Sequence, residues 1–595
     1  MSDRAMTMND LGPSYQSRVR KRTIILAFFF FLWFLVLTLR LIQLQVIEHR
    51  RLREAVINQS QYERPIIPER GTIYDRHGQI LARSLPAPTV CLIPNKDDLP
   101  ADLFARVERL KNIAGLSDKE LQKIKARIEG GDPYIYIRRK ISWDQANRIS
   151  KLNLKNIYVR LENRRFYPLG PLAAHVLGGV NIDGEGQSGV ELQYNARLQG
   201  EKGLSLILWD ANKRPYDWEI AKEPTPGQDL VLTLDESIQY IAERELEKAV
   251  REHQASWGTV VLSHPSSGEI LAMATYPTYD PNDYPPSLAE LGRNRAIQHN
   301  FEPGSMFKIV TAAAAREAGV VKLNDLFDCS EGKVKVAGWT ISDHKKFGVL
   351  TFSEVIAHSS NVGTIKVGRR IGQDTLYRMI QNFRFGQKTG LDLPGEEGGI
   401  FRPLHKWSGT SLAAHSIGYE ISVTAVQILQ AMNILANRGV LVPFRITRAS
   451  LNPADYNPDM PAAGDRIISE RTASELTNRV FERVVTDGTG QAAWIDGFPA
   501  AGKTGTARKL DQELRVYSAS RHLASFVGFV PADRPVLSMV VVLDDPKFNL
   551  QYGGQVAAPV FREIARRVLL YLRQTPQVDP SGKIVTAQLR SQDRP

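Results

Sequence analysis

Cysteine is scarce in this chain: Cys91 and Cys329 are the only two in 595 residues, and they fall in different predicted domains. That count excludes a disulfide framework and argues against a thiolate metal site, so both are expected to be free thiols in the core. No internal repeat is present, which argues against a solenoid or propeller. Charge is missing altogether from Thr23 to Leu39, a run of 17 residues dominated by Phe, Leu and Ile. Positive charge is in excess, at a net +12, yet apart from Arg18, Arg20, Lys21 and Arg22 the basic residues are dispersed. No nucleic-acid-binding motif accompanies them, and nucleic acid is not expected as a partner. The remaining make-up, 24% charged and 43% hydrophobic, is that of a globular protein long enough for two or three domains.

The uncharged run predicts a single membrane-crossing helix over Thr23 to Leu44. Seventeen residues are at the short end for a span, but Arg40 can snorkel and let the helix continue to Leu44. The basic cluster before it predicts a cytoplasmic N-terminus, with everything after it outside. A cleaved signal peptide is disfavoured, because the apolar stretch exceeds a usual signal core and no small-residue cleavage site follows.

Three short motifs follow in order along the second half: Ser305-Met306-Phe307-Lys308, Ser359-Ser360-Asn361 and Lys503-Thr504-Gly505-Thr506. Pro303-Gly304 makes a turn, and helix formers run from Ile309 to Ala315, so Ser305 is expected in the first turn of a buried helix with Lys308 on the same face. A serine hydroxyl becomes a nucleophile when a neighbouring base takes its proton, and a lysine can be that base when burial or a nearby cation lowers its pKa. Lys503 is a candidate for that cation. Ser359 and Asn361 lie in a predicted loop, where a hydroxyl can relay a proton and an amide can hold a peptide carbonyl. Lys503 to Thr506 precedes two strand patterns, His522 to Val530 and Val536 to Leu543, and is expected on a sheet. There Gly505 lets a substrate backbone approach, Thr504 and Thr506 offer hydroxyls, and Lys503 offers charge to a carboxylate. Each motif alone is weak, since a Ser N-cap or a Lys-Thr-Gly turn is common; together, ordered and in suitable contexts, they describe a serine acyl-transfer site.

With these motifs the chain resembles the class B penicillin-binding proteins over most of residues 60 to 570. Arg70-Gly71-Thr72-Ile73-Tyr74-Asp75-Arg76 with Gly78, and Gly189-Val190-Glu191 with Tyr194 and Gly200, are similar to that family's pedestal motifs. Their residue types read as structural, with glycines for turns and buried Arg–carboxylate pairs. Gly268-Glu269-Ile270-Leu271, Arg293-Asn294-Arg295-Ala296, Gly488-Thr489-Gly490 and Phe526-Val527-Gly528-Phe529 extend the match.

The resemblance implies a peptidoglycan D,D-transpeptidase without a cofactor. Ser305 would attack the carbonyl between the terminal D-alanines of a stem peptide, with Lys308 as base. Ser359 and Asn361 would relay the proton and clamp the substrate, and Lys503, Thr504, Gly505 and Thr506 would form the carboxylate-side strand. The backbone N–H groups of Ser305 and Thr506 would form the oxyanion hole, and β-lactams would acylate Ser305. The net positive charge then suits anionic headgroups and the pyrophosphate and carboxylates of cell-wall precursors, or is simply a solvated surface. Phe301-Glu302-Pro303-Gly304-Ser305 is more similar to the cell-division members called FtsI than to elongation enzymes. An elongation-type transpeptidase stays open as the alternative, followed by a non-catalytic septal scaffold or a β-lactamase; the last lacks its usual Glu-x-x-Leu-Asn pattern here. The resemblance also implies partners, a polytopic glycosyltransferase of the FtsW kind and other divisome proteins. One departure stands out: Ser416-Ile417-Gly418-Tyr419-Glu420 puts bulk and a carboxylate where relatives often carry a Gly-Gln-Gly-like loop.

The expected organisation is a cytoplasmic tail at 1–22, the membrane helix at 23–44, a non-catalytic pedestal at 45–225, a catalytic domain at 226–574 and a solvated tail at 575–595. In the catalytic region Asp229 to Leu234 is expected as a strand, Thr259 to Leu262 and Glu269 to Thr275 as a hairpin, and Val560 to Leu572 as a last helix; strands at both ends with helices between them predict an α+β domain, an antiparallel sheet with a helical cluster. The resemblance implies the serine D,D-peptidase/β-lactamase-like fold, preceded by an elongated mixed α/β module.

Overall fold

Uninterrupted apolar sequence near the N-terminus gives an uninterrupted helix, Pro13–Ile42, which ends in a π turn over Gln43–Ile47. In this computed structural model the described residues are 13–52, 61–95, 98–209, 215–283, 291–448, 464–511, 516–547, 552–577 and 584–585. The apolar span covers Ser17–Ile47 with a mean hydropathy of 2.5, and none of it is buried against the protein. A lipid environment accounts for such a helix, because lipid-facing side chains need no protein partner. At its end Arg40 donates to Gln43 Oε1 at 2.8 Å and Gln43 to Glu48 Oε1 at 2.8 Å, so polar groups gather where the apolar run stops. Of the two predicted tails, residues 1–12, 578–583 and 586–595 lie outside the described residues.

The rest divides into two compact units. The first takes residues 1–67, 87–162 and 202–225; the second takes 68–86, 163–201 and 226–595. Segments 68–86 and 163–201, which carry the Arg70 and Glu191 motifs, thus belong with the C-terminal part of the chain.

In the first unit Gln61–Ile66, Gly203–Trp209 and Pro215–Lys222 form an antiparallel sheet. Amphipathic helices Pro100–Glu108, Asp118–Glu129 and Trp143–Lys151 bury Leu103, Val107, Ile124 and Ile149 in a core shared with Val90, Leu92 and Ile135. The latter two helices start with capping boxes, Ser117 with Glu120 and Ser142 with Gln145, which satisfy otherwise orphaned N–H groups. Cys91 is buried in this unit and Cys329 in the other, both as free thiols.

In the second unit α1 (Glu236–Glu252) precedes the hairpin β1 (Trp257–Ser263) and β2 (Ile270–Tyr276). Helices α2 (Lys308–Glu317), α3 (Asn361–Ile371) and α4 (Ala425–Ala436) fill the middle of the sequence. Strands β3 (Ala501–Asp511), β4 (Val516–Val530) and β5 (Leu537–Asp544) and helix α5 (Gly553–Tyr571) complete the unit. The sheet is antiparallel in the order β2-β1-β5-β4-β3, so β3 is an edge strand with its outer side unpaired within the sheet. Helices α1 and α5 share one apolar core with the sheet, through Ile238, Leu246, Phe561 and Ile564. The helical cluster covers the other face, with every residue of α4 buried. Every residue of β5 is buried too, as expected of a central strand covered on both faces.

Two sequence expectations shift. The strand expected over Asp229–Leu234 forms a ladder only at Leu230–Val231, because its parallel partner Ile73–Tyr74 is two residues long before the chain turns. The final helix starts at Gly553, seven residues before the expected Val560, and contains Pro559. Glycine and proline there suggest a loop, but packing overrides the signal: a Cβ on Gly553 would lie 2.1 Å from Ser525 O and 2.3 Å from Gly505 O.

Candidate active site

Gly304–Phe307 forms a 3₁₀ turn that leads into α2, so Ser305 stands half-buried one turn ahead of Lys308. Helix α2 is apolar from Ile309 to Ala315 and fully buried there, which draws Lys308 into the interior with no solvent exposure. Its ammonium donates to Ser359 O at 2.7 Å, to Ser359 Oγ at 3.2 Å and to Asn361 Oδ1 at 2.9 Å. The Ser305 hydroxyl makes no hydrogen bond among the described residues. The expected direct Ser305–Lys308 contact is therefore replaced by a Lys308 anchored on the second motif.

Ser359 sits between the helix Phe352–Ala357 and α3, in the expected loop, with φ +59°. This left-handed conformation is unusual for a residue with a side chain and marks a position held by its surroundings. Its hydroxyl oxygen accepts from Lys503 Nζ at 3.0 Å as well as from Lys308, so one oxygen bridges two ammonium groups. Lys503 is also fully buried and donates to Thr504 O at 3.1 Å. Burial brings the Lys308 pKa down to about 7, against a pull upward from the Asp343 carboxylate. Burial also pushes Lys503 well below its ordinary value, and the neighbouring Lys308 charge pushes it further. Burial, rather than the second lysine, is thus the main reason that Lys308 can lose its proton near neutrality.

The third motif lies on β3, where Lys503 pairs with Val527 and Thr506 with Ala524 of β4. Thr504 Oγ1 is 2.6 Å from Thr489 Oγ1, so the Gly488-Thr489-Gly490 loop supports it. Thr506 Oγ1 accepts from Gly553 N at 3.1 Å, which leaves its own proton to donate. Gly505 has a reason the sequence did not disclose: a Cβ there would meet Ser525 Oγ at 2.3 Å and Met306 Cγ at 2.8 Å. Its missing side chain lets the 3₁₀ turn that carries Ser305 close onto the strand.

Sequence reasoning assigned no role to three residues, Asp343, Glu302 and Tyr517. Asp343, after the short strand Trp339–Ser342, accepts from Ser360 Oγ at 2.8 Å, Val362 N at 3.1 Å and Asn361 N. Glu302 accepts from Tyr517 OH at 3.1 Å and Glu420 N at 3.0 Å, and burial together with the Glu420 charge raises its pKa. No local motif could have announced these contacts, because their partners are distant in sequence. Glu420, the departure noted above, has φ +58° and accepts from Ser411 Oγ at 2.6 Å and Thr410 Oγ1 at 3.3 Å. The pedestal motifs meet as expected of structural ion pairs: Glu191 accepts from Arg70 and Arg165 at 2.6 Å each, with no exposure of the carboxylate.

Family models match both parts of the chain: the penicillin binding protein transpeptidase domain over residues 258–566 and the penicillin-binding protein dimerisation domain over residues 65–232. Among curated relatives, stage V sporulation protein D of Bacillus subtilis is 36% identical over 94% of this chain and 87% of its own. The peptidoglycan D,D-transpeptidase FtsI of Escherichia coli is 32% identical over 86% of this chain and 85% of its own. The crystal structure of penicillin binding protein 3 from Mycobacterium tuberculosis with aztreonam superposes with a TM-score of 0.66. It is 28% identical and covers 88% of this chain and 100% of that one.

Proposed function

We propose, for a chain that belongs to the class B penicillin-binding proteins and is a peptidoglycan D,D-transpeptidase, that Ser305 is its nucleophile and that Lys308 and Lys503 work through Ser359. The observation that carries this assignment is the single hydroxyl shared by two buried lysines beside a half-buried serine at a helix start. Burial brings the Lys308 pKa down to about 7, so a neutral amine is available as base near that pH, and like charges so placed further disfavour joint protonation.

Neutral Lys308 turns from Ser359 to Ser305 and takes its proton as Oγ attacks the carbonyl of the penultimate D-alanine. The oxyanion faces the N–H groups of Ser305 and Thr506. Ser359 passes a proton to the departing amine, which leaves as D-alanine, and is reprotonated from the lysine pair. The acyl group on Ser305 then goes to an amine of a second stem peptide, whose surplus proton returns by the same relay. Asn361 uses Nδ2 toward Ser342 O at 3.1 Å, and its second N–H is free to hold a substrate carbonyl. With Lys503 turned toward Ser359, Thr504 and Thr506 present the hydroxyls of β3 to the substrate carboxylate. Mass spectrometry of the tryptic adduct with labelled penicillin tests the assignment. Label on Ser305 that persists without turnover supports a transpeptidase, whereas label on Ser305→Ala or rapid release would reject it.

Septal synthesis is the cellular role supported by the likeness to FtsI and by the Phe301-Glu302-Pro303-Gly304-Ser305 sequence. The elongation role is the alternative, and a fluorescent fusion that lines the side wall instead of midcell would favour it. The basic flank of the apolar helix supports a cytoplasmic N-terminus with the catalytic domain on the periplasmic side; protease access to intact spheroplasts checks it. The membrane helix and residues 45–225 are suited to a polytopic glycosyltransferase of the FtsW kind and other divisome proteins, since two weak attachments on one chain reinforce each other. Co-purification in detergent tests this. A version with Thr23 to Leu44 replaced by an unrelated membrane helix should bring down less polymerase.

A further inference from the structure

Asn361 is the first residue of α3, where backbone N–H groups lack helical partners. Ser360 caps that end by accepting from Gly363 N at 2.9 Å, as a Ser-Ser-Asn sequence would suggest. The cap has a second member that the local sequence does not contain. Asp343 Oδ2 accepts from the same Ser360 hydroxyl at 2.8 Å, while Oδ1 accepts from the N–H groups of Asn361 and Val362.

Asp343 is itself held in place. It follows the hairpin of Lys333–Val336 and Trp339–Ser342, and its N–H closes the hairpin's root on Gly332 O at 3.0 Å. Val336 of that hairpin is buried with Ile365 of α3, which ties the two elements together by apolar packing. Asn361 is then spanned between them: Nδ2 donates to Ser342 O of the hairpin, and Oδ1 receives the Lys308 ammonium at 2.9 Å. A carboxylate outside all three motifs therefore fixes the residue that anchors the base.

We propose that Asp343 is a positioning residue for acyl transfer, which locks the start of α3 so that Asn361 and Ser359 hold Lys308 in register with Ser305. This rests on the assignment of Ser305 and Lys308 given above. The charged or titratable groups that bear on Lys308 are Asp343 and His344 at the hairpin root and Lys503 on β3. Asp343 is the one of these that favours the protonated amine, so its removal makes the base available at lower pH while loosening its geometry.

The experiment uses the full chain in detergent and measures the rate of acylation by a fluorescent penicillin against pH, beside the thermal midpoint. Asp343→Asn keeps the shape and removes the charge. It should stay folded, acylate about 10- to 100-fold more slowly at its optimum, as small misplacements of a base do, and show its acid limb moved down by about one pH unit. Should Asp343→Asn fail to fold, Ser360→Ala removes one of the three contacts and should slow acylation about tenfold. A wild-type rate in the folded variant overturns the proposal. So does a loss that tracks the unfolded fraction with an unmoved acid limb, which would make Asp343 a helix cap only. Failure of the underlying assignment looks different: Ser305→Ala would still take the label, whatever Asp343→Asn does.

Discussion

Two clusters of buried charge in the same unit have opposite characters. In the segments that carry the Arg70 and Glu191 motifs, Glu191 lies between Arg70 and Arg165, and further donors find acceptors: Arg70 Nη1 finds Asn195 Oδ1 at 2.8 Å and Arg165 Nη1 finds Gly71 O at 2.8 Å, with only Arg165 Nη2 of these guanidinium nitrogens left without one. Around Ser359, two lysines of like sign are buried at 0% exposure against one hydroxyl. The first cluster offsets its desolvation by opposite charge and directed hydrogen bonds, and so holds the fold. In the second, burial brings the Lys308 pKa down to about 7 and holds that of Lys503 well below its ordinary value, with the Lys308 charge adding to the latter. A buried charge with matched partners reads as structure, and a buried charge with a like neighbour reads as chemistry.

Breaking the lysine cluster should give the largest effect. Lys308→Met is expected to slow acylation by labelled penicillin about 10³- to 10⁴-fold, the loss of a general base. The same variant should be more stable by about 0.5–2 kcal/mol at pH 7, because a desolvated amine gives way to an apolar side chain. Retained acylation would remove Lys308 from the chemistry, and a lower thermal midpoint would show that the site was not strained.

Breaking the matched cluster should do the reverse. Glu191→Ala leaves two guanidinium groups buried without their carboxylate and should cost about 3–5 kcal/mol of stability. Acylation per folded molecule should stay within about twofold of the parent, within the scatter of remote substitutions. A large fall in rate per folded molecule at low temperature would mean that this ion cluster is coupled to catalysis.

The pH dependence sharpens the contrast. Lys308, with a pKa near 7, is protonated and inactive as a base below that value, so the acylation rate should fall about tenfold per pH unit on the acid side of 7. The linkage runs in the same direction. The folded state holds this amine neutral from about pH 7 upward while the unfolded chain stays protonated to about 10.4, so stability gains from this group as pH rises through that window. A flat rate between pH 5 and 7 would contradict the assignment.

The smallest effect is expected at the edge of the site. Thr489→Val removes the partner of the Thr504 hydroxyl and should reduce acylation by about two- to tenfold, the worth of one hydrogen bond. An unchanged rate would show that Thr504 is positioned by its strand alone.

How much of this was legible depended on the distance over which each cause acts. The helix that follows Ser305, the membrane helix, the β1–β2 hairpin and the strands around Lys503 follow from periodicity and from Gly and Pro placed locally, and they stand close to where the sequence predicts them, with Ser305 itself in a 3₁₀ turn ahead of its helix. Ser305, Lys308, Ser359, Asn361 and the β3 residues were legible as candidates because acyl-transfer chemistry restricts residue type at fixed spacing along one element. The early start of α5 was not, since the close contacts at Gly553 come from β3 and β4. The Asp343 cap and the Glu302–Tyr517 bond were equally hidden, because hydrogen bonds across 18 and 215 positions leave no periodic trace.

By itself, then, the sequence determined the helix that follows Ser305, which segment is apolar enough for a membrane, and which side chains have the chemistry for acyl transfer. Tertiary structure alone decided the protonation of the two lysines and the partner to which Lys308 is tied. It also decided the need for a bare Gly505. Solvation and close approach are properties of what surrounds a residue, and those surroundings are assembled from parts of the chain 51 and 144 positions away in the case of the two lysines.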